Sequence, residues 1–367
     1  MQTYWKRFSK IKCSPSRFLE GEYFNNKKDM KEKITNLLLD NKIKIHGRYY
    51  IDNEIYRFDN VASGIEIKFK GTSISLNTKT YARPRINKDY PMFTTICILL
   101  DNIVDPLLIN LNIDNDDLEE ISILKDLENK EHTIKIFKTD DPLISTWGIM
   151  DIIVDGVILP IHNEKKLNIE VFGDSITSGG DNLIKDGKSL DVVPNSGNGM
   201  ATYAVFPALE LNANINVFSR CGLCLYPAST FDTEVVVSKI YDKVSPLTLK
   251  KWDLKKYIPD IIIISLGTND ELGNQFTIDG FKDACINFIL NLEKAYNNKI
   301  SYIFTYGYMN KNDDIKNALY KVNEFLKDKN IDSYIVEMPK AKIGHPTVEE
   351  HLLGARLIKE LLIKIIG

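Results

Sequence analysis

Asn168-Ile169-Glu170-Val171-Phe172-Gly173-Asp174-Ser175-Ile176-Thr177 is a short apolar run that breaks into a glycine turn and then a serine. The run reads as a buried strand, and the glycine permits a sharp strand-to-helix turn. A serine at the following helix start has backbone N–H groups and the positive dipole end aimed at any developing oxyanion. Ser175 is therefore the first candidate nucleophile. Taken alone, Gly-Asp-Ser is also ordinary turn chemistry, with Asp or Ser capping a helix.

Two later segments carry the case further. The largely apolar run Ile261-Ile262-Ile263-Ile264-Ser265-Leu266 leads into Gly267-Thr268-Asn269-Asp270, which puts an amide side chain at another strand's carboxyl end. Open α/β sheets bind ligands at that edge. Near the C-terminus, Gly344-His345-Pro346-Thr347 precedes a helical stretch over 348–366, so a histidine lies in the loop before the last helix. Serine, amide and imidazole can converge. A neutral serine is a poor nucleophile, so His345 would accept its proton and return one to the leaving alcohol. Asn269 has a plainer reading as a turn cap, and His345 as a loop residue.

These blocks resemble the SGNH, or GDSL-type, hydrolase superfamily, whose signature residues are Ser, Gly, Asn and His in that order. Ser175 fits the nucleophile block, Gly222 in Ser219-Arg220-Cys221-Gly222-Leu223 the glycine block, Asn269 the asparagine block and His345 the histidine block. The resemblance implies a flavodoxin-like parallel sheet. It also implies an oxyanion hole made by the backbone N–H groups of Ser175 and Gly222 and the side-chain amide of Asn269. A glycine that merely relieves a tight turn is the plainer reading of Gly222. The α/β-hydrolase nucleophile elbow is disfavoured, because Thr177 occupies its second glycine position.

A narrower resemblance extends upstream. Gly47-Arg48-Tyr49-Tyr50 and the stretch 62–72, followed by these blocks, look like carbohydrate esterase family two, as does Trp252 ahead of Pro259-Asp260. That family joins an N-terminal jelly-roll sandwich to the hydrolase domain and removes acetyl groups from plant polysaccharides. One position departs from the superfamily. The aspartate usual three residues before the histidine is Lys342 here. Members of the esterase family can work with a Ser-His dyad in which a backbone carbonyl orients the imidazole; Glu337 is a candidate substitute, with a solvated strand-end glutamate as its plainer reading.

The organisation read along the chain has three parts. Residues 1–41 hold an irregular lead and one helical pattern over 28–39, with Met30, Ile34, Leu37 and Leu38 on one stripe. Over 42–162, period-two segments such as Ile65-Glu66-Ile67-Lys68-Phe69 and Thr133-Ile134-Lys135-Ile136-Phe137 predict an antiparallel β-sandwich. The segment 151–159 reads as its closing hairpin, with Asp155-Gly156 as the turn. Over 163–367, strands alternate with helices: strands at 169–172, 215–218, 261–266, 300–306 and 333–336, helices near 201–211, 278–296, 313–327 and 348–366. That rhythm predicts a parallel sheet with helices on both faces. The expected fold class is thus α/β, preceded by an all-β jelly-roll sandwich.

Composition fits an enzyme of two domains. The chain has 367 residues, 44% hydrophobic and 26% charged, with Lys+Arg 47 against Asp+Glu 50, so neither disorder nor a polyanionic partner is indicated. Lysine runs at 27–33 and 250–256 read as solvated helix faces rather than nucleic-acid footprints. Cys221-Gly222-Leu223-Cys224 has redox or half-zinc spacing, but no second pair completes a tetrahedral set, so no metal or cofactor is expected. His46, His132, His162 and His351 read as structural, as do Asp174 and Asp270. Five cysteines cannot all pair within one chain, which favours a reducing compartment. No stretch is apolar enough to span a membrane and no signal-peptide core follows the N-terminus, so a cytoplasmic location is expected, or secretion if a leader was removed.

Trp252, Tyr226 and Tyr308 are the candidate substrate-binding surfaces for sugar rings, with buried anchors as the alternative. Arg48 is a further candidate at the catalytic edge. The leading function is a serine esterase removing O-acetyl groups from a carbohydrate, such as acetylated xylan, mannan or derived oligosaccharides. The alternatives are a broader GDSL lipase or thioesterase, and a non-catalytic carbohydrate-binding protein. The partner implied is an acetylated saccharide.

Overall fold

The computed structural model describes residues 30–82, 94–101, 106–111, 117–162, 166–184, 196–226, 235–248 and 250–367. The described chain begins with β1 (Met30–Lys33), α1 (Ile34–Leu39), β2 (Ile43–His46), β3 (Tyr50–Asp52), β4 (Ile55–Phe58), β5 (Gly64–Gly71) and β6 (Ile74–Ala82). It continues through β7 (Thr94–Leu100), β8 (Leu107–Leu111), β9 (Glu119–Leu124), β10 (Lys130–Lys138), β11 (Ser145–Val154) and β12 (Val157–Leu159). These strands make two six-stranded sheets, one ordered β3-β4-β11-β6-β9 with β1 also on β11, the other β12-β5-β10-β7-β8 with β2 also on β5.

Their pairings are antiparallel, and the period-two pattern decides what each face buries. Ile65, Ile67 and Phe69 of β5 and Ile134 and Ile136 of β10 share one apolar cluster with Leu76, Trp147, Ile149 and Ile152 of the facing sheet. Two sequence readings change here. The helical pattern expected over 28–39 is a helix only from Ile34; residues 28 and 29 lie outside the described residues, and Met30–Lys33 pair with Asp151–Val154. Ile34 and Leu37 pack into the same cluster.

The expected hairpin over 151–159 is instead a crossover. β11 lies in one sheet, whereas β12 pairs with β5 in the other. The Asp155 carboxylate explains the change of direction, because Oδ1 accepts the backbone N–H groups of Thr72 and Ser73 at 2.6 and 2.8 Å and Oδ2 accepts the Thr72 hydroxyl. The turn is thereby fastened to the β5–β6 connection.

The second half holds β13 (Asn168–Gly173), α2 (Val205–Glu210), β14 (Asn214–Ser219), α3 (Val237–Ile240), β15 (Ile261–Ser265), α4 (Ile278–Tyr296), β16 (Ser301–Tyr306), α5 (Asp314–Asp328), β17 (Ser333–Glu337) and α6 (Val348–Ile366). The five strands are all parallel, in the order β14-β13-β15-β16-β17. Phe172, Ile262, Ile264 and Phe304 cluster with Phe281 and Phe288 of α4 and Leu319 of α5. The intervening Ile169, Val171, Ile263 and Ile303 cluster with Ala208 of α2 and Ile358 and Leu362 of α6. The helix expected near 201–211 is confined to Val205–Glu210, and the lysines at 250–256 sit on one 3-10 turn, Leu254–Lys256, and the chain before it rather than a helix face.

The strand order has a consequence for function. The chain leaves β13 for β14 on one side, then crosses to β15 on the other, so a crevice opens beyond the carboxyl ends of β13 and β15. Ser175 follows β13, and Asn269 follows β15. No helix among the described residues is long and apolar enough to cross a membrane.

Candidate active site

Gly173 ends β13 in a place where a side chain would not fit, since a Cβ there would lie 2.0 Å from Thr177 Oγ1. The chain then folds into one tight turn rather than a regular helix, closed by Ser178 N–H to Asp174 O at 3.0 Å and Gly180 N–H to Ser175 O at 2.8 Å. The turn stops at Gly179, whose φ of +72° takes the backbone out of the helical region. It holds Ser175, 8% exposed, at the crevice.

His345 arrives from the other end of the chain. Thr347 caps α6 in a capping box with Glu350, which fixes the entry of the loop two residues after the histidine. Its Nε2 lies 2.8 Å from Ser175 Oγ. That is the geometry a nucleophile and its general base require.

Asn269 closes the third side. Its Nδ2 donates to Asp174 Oδ2 at 3.2 Å and to Leu223 O at 3.3 Å, so the amide bridges the nucleophile turn and the glycine loop. Gly222 has φ +74°, a conformation L side chains rarely adopt. The loop around it is held from two directions. Asp270 accepts the backbone N–H groups of Leu225 at 3.0 Å and Tyr226 at 3.1 Å, while the Asp141 carboxylate, from the sandwich, accepts the N–H of Cys221 at 2.8 Å.

Burial pushes both loop-holding carboxyls beside Asn269 upward, Asp174 to about 6 and Asp270 to about 7. Each keeps its backbone donors in the right direction: Ile176 N–H on Asp174 at 2.9 Å, and the Leu225 and Tyr226 N–H groups on Asp270. Their role in the geometry is to organise loops.

Other residues singled out in the sequence lie elsewhere. Trp252 is 5% exposed and packs edge-on against Tyr49 of the sandwich at 5.6 Å, and its backbone N–H reaches Asp242 O, so it sits in the seam between the two halves. Tyr308 is 3% exposed, packed on Tyr203 and His351 in the core. Tyr226 is half-buried beside Asp270, its hydroxyl accepting the Thr277 N–H at 3.0 Å. Arg48 does not face the catalytic edge; it is fully buried against Glu170. Glu337 accepts the Tyr306 hydroxyl at 2.8 Å and does not orient His345.

The remaining histidines have structural surroundings. His46 pairs with Glu66 at 2.9 Å, and His132 bridges Asp101 at 2.7 Å and Glu128 O at 2.8 Å. His351 accepts the Tyr203 N–H at 3.2 Å, burial driving its pKa down to about 3, and His162 is exposed. Cys97 and Cys285 are buried thiols, and Cys13 lies outside the described residues. Among the described residues no group of three or more His, Cys, Asp or Glu side chains could hold a metal ion.

Two contributions had no reading in the sequence. One is Asp141, which reaches the glycine loop from the sandwich. The other is Asp181, whose Oδ2 stands 3.5 Å from His345 Nδ1.

Comparison with known structures places this architecture. The chain superposes on a family two carbohydrate esterase from Clostridium thermocellum, solved in complex with cellohexaose, with a TM-score of 0.77 at 21% identity, covering 89% of this chain and 99% of that one. The chain has the fold of the family two carbohydrate esterases. This chain is equally similar to an acetyl xylan esterase from the rumen bacterium Butyrivibrio proteoclasticus, with a TM-score of 0.77, 19% identity, and 92% of this chain and 99% of that one covered. Among curated proteins, the cellulase/esterase CelE of Acetivibrio thermocellus is 23% identical over 317 residues. That match takes in 83% of this chain but only 37% of CelE, so the chain spans little more than a third of its relative's length. No family model matches the chain.

Proposed function

We propose that the chain is a serine esterase that removes O-acetyl groups from a carbohydrate, acetylated xylan, mannan or oligosaccharides derived from them, through an acyl-enzyme. The observation that carries this reading is the 2.8 Å contact between Ser175 Oγ and His345 Nε2 at the switch point of the sheet. The likeness to esterases described as family two carbohydrate esterases and as an acetyl xylan esterase supports the substrate class.

In the proposed mechanism His345 takes the hydroxyl proton of Ser175 as Oγ bonds to the acetyl carbon. The carbonyl oxygen becomes an oxyanion, met by the N–H groups of Ser175 and Gly222 and by an Asn269 Nδ2 hydrogen. The two present Asn269 bonds are long, and such contacts re-aim and tighten as charge develops. Collapse expels the sugar hydroxyl, which takes the proton back from His345, leaving acetyl on Ser175. Water, deprotonated by His345, then releases acetate and restores the serine. Tyr226 is retained as a candidate sugar contact. Structurally, we read the antiparallel sheets as a jelly roll, with residues 30–162 as that domain and 163–367 as the hydrolase domain, whose sheet has helices on both faces.

The test is acetate release from acetylated xylo- and manno-oligosaccharides, set beside short- and long-chain aryl esters. Faster turnover of the acetylated sugars supports the proposal. A preference for long acyl chains would instead favour a lipase or thioesterase.

A further inference from the structure

We propose that Asp181 is the positioning residue of His345, completing from the nucleophile's own loop the hydroxyl–imidazole–carboxylate arrangement that Lys342 leaves open. This rests on the esterase reading above. An imidazole that takes a proton at Nε2 must carry its resting proton on Nδ1, and a group accepting from Nδ1 fixes both the tautomer and the ring's direction.

The nearby carboxylates sort themselves by their partners. Glu350 accepts the Lys342 N–H at 3.0 Å on Oε1 and the Thr347 N–H at 2.8 Å on Oε2, so the superfamily's usual acid position serves the helix cap instead. Lys342 itself is exposed. Asp174 accepts from Ile176 and Asn269, and Glu337 from Tyr306. Among the described residues, Asp181 is the carboxylate within ion-pair range of Nδ1, at 3.5 Å.

The loop that presents Asp181 is built for the task. The Gly180 N–H donates to Ser175 O at 2.8 Å and the Asn198 N–H to Gly179 O at 3.1 Å, which ties the acid's position to that of the nucleophile. The Ser196 hydroxyl donates to Asp181 Oδ1 at 2.6 Å, leaving Oδ2 on the imidazole side. The 3.5 Å separation belongs to the resting arrangement, and it shortens as the imidazolium forms and the charges become opposite.

The experiment compares wild type with Asp181→Asn and Asp181→Glu in two assays: hydrolysis of an aryl acetate, and the rate at which a fluorophosphonate labels Ser175, which reports nucleophile activation without any acetyl substrate. Asp181→Asn is expected to lower kcat and the labelling rate together by about tenfold or more, with KM within about twofold, because a tautomer-fixing carboxylate acts on the chemical step. Asp181→Glu restores part of both rates. A folded Asp181→Asn with wild-type rates, or a loss confined to KM, overturns the proposal. Should Asp181→Asn fail to fold, Ser196→Ala, which removes only the hydroxyl holding Oδ1, is expected to slow labelling, and an unchanged rate overturns the proposal. If wild type labels at Ser175 yet releases no acetate, the esterase reading fails and the labelling comparison alone decides Asp181. Wild type that neither labels nor hydrolyses defeats both.

Discussion

At Asn269 a single amide joins two loops that must stay in register, the nucleophile turn through Asp174 and the glycine loop through Leu223. In the proposed mechanism one of these hydrogens leaves its present acceptor and turns to the oxyanion on Ser175. Asn269→Ala is therefore expected to lower kcat by roughly 10²–10³, the usual effect of losing one such donor, while circular dichroism and denaturation midpoint stay near wild type. Near-normal turnover in the folded variant would remove Asn269 from the site. The flanking Asp174 and Asp270 are a different kind of residue. They are buried and their pKa values rise for that reason, and their work is done by backbone amides they hold in place.

At the scale of elements, the parallel half was legible because its strands are short, continuous apolar runs bounded by turn residues, and its long helices carry clear periodicity. The expected helices over 278–296 and 348–366 are the observed α4 and α6. The loops between them were less so. Asp155-Gly156 carries the same local signal whether the chain returns to its own sheet or crosses to the next, and the pairing of β12 with β5 and the bonds from Thr72 and Ser73 distinguish the two. Trp252 and Tyr308 look in sequence like sugar platforms because a buried aromatic anchor has the same composition as an exposed one. Asp141 left no trace at all, since it is 80 residues from the Cys221 N–H it binds. That bond makes a testable prediction at this scale. Asp141→Ala frees the loop that carries Gly222 and is expected to lower kcat by about tenfold, less than losing a donor outright. Unchanged kcat would show that Asp270 and Asn269 hold the loop without help from the sandwich.

Across the whole molecule the two halves are joined by buried polar contacts rather than by a greasy seam alone. Arg48, 0% exposed, leaves the sandwich to donate to Glu170 Oε1 at 2.8 Å and to the carbonyls of Tyr241 and Lys243, with its guanidinium 4.8 Å above the Phe218 ring. Asn216 and the Tyr296 hydroxyl complete the shell of Glu170. Asp59 accepts hydroxyls from both sides, Thr146 at 2.7 Å and Ser245 at 2.6 Å. Removing one partner of such a pair strands a buried charge, so Arg48→Met is expected to cost about 3–5 kcal/mol in urea denaturation. Arg48→Met with Glu170→Leu should cost clearly less, and equal costs would mean that the pair is not coupled. The proposed esterase reaction requires Ser175 as its nucleophile. The most direct test is acetate release by wild type and Ser175→Ala, matched for folding, on the best acetylated oligosaccharide. Ser175→Ala is expected to lose at least about 10³-fold in rate; a folded Ser175→Ala that releases acetate at the wild-type rate would contradict Ser175 as the nucleophile.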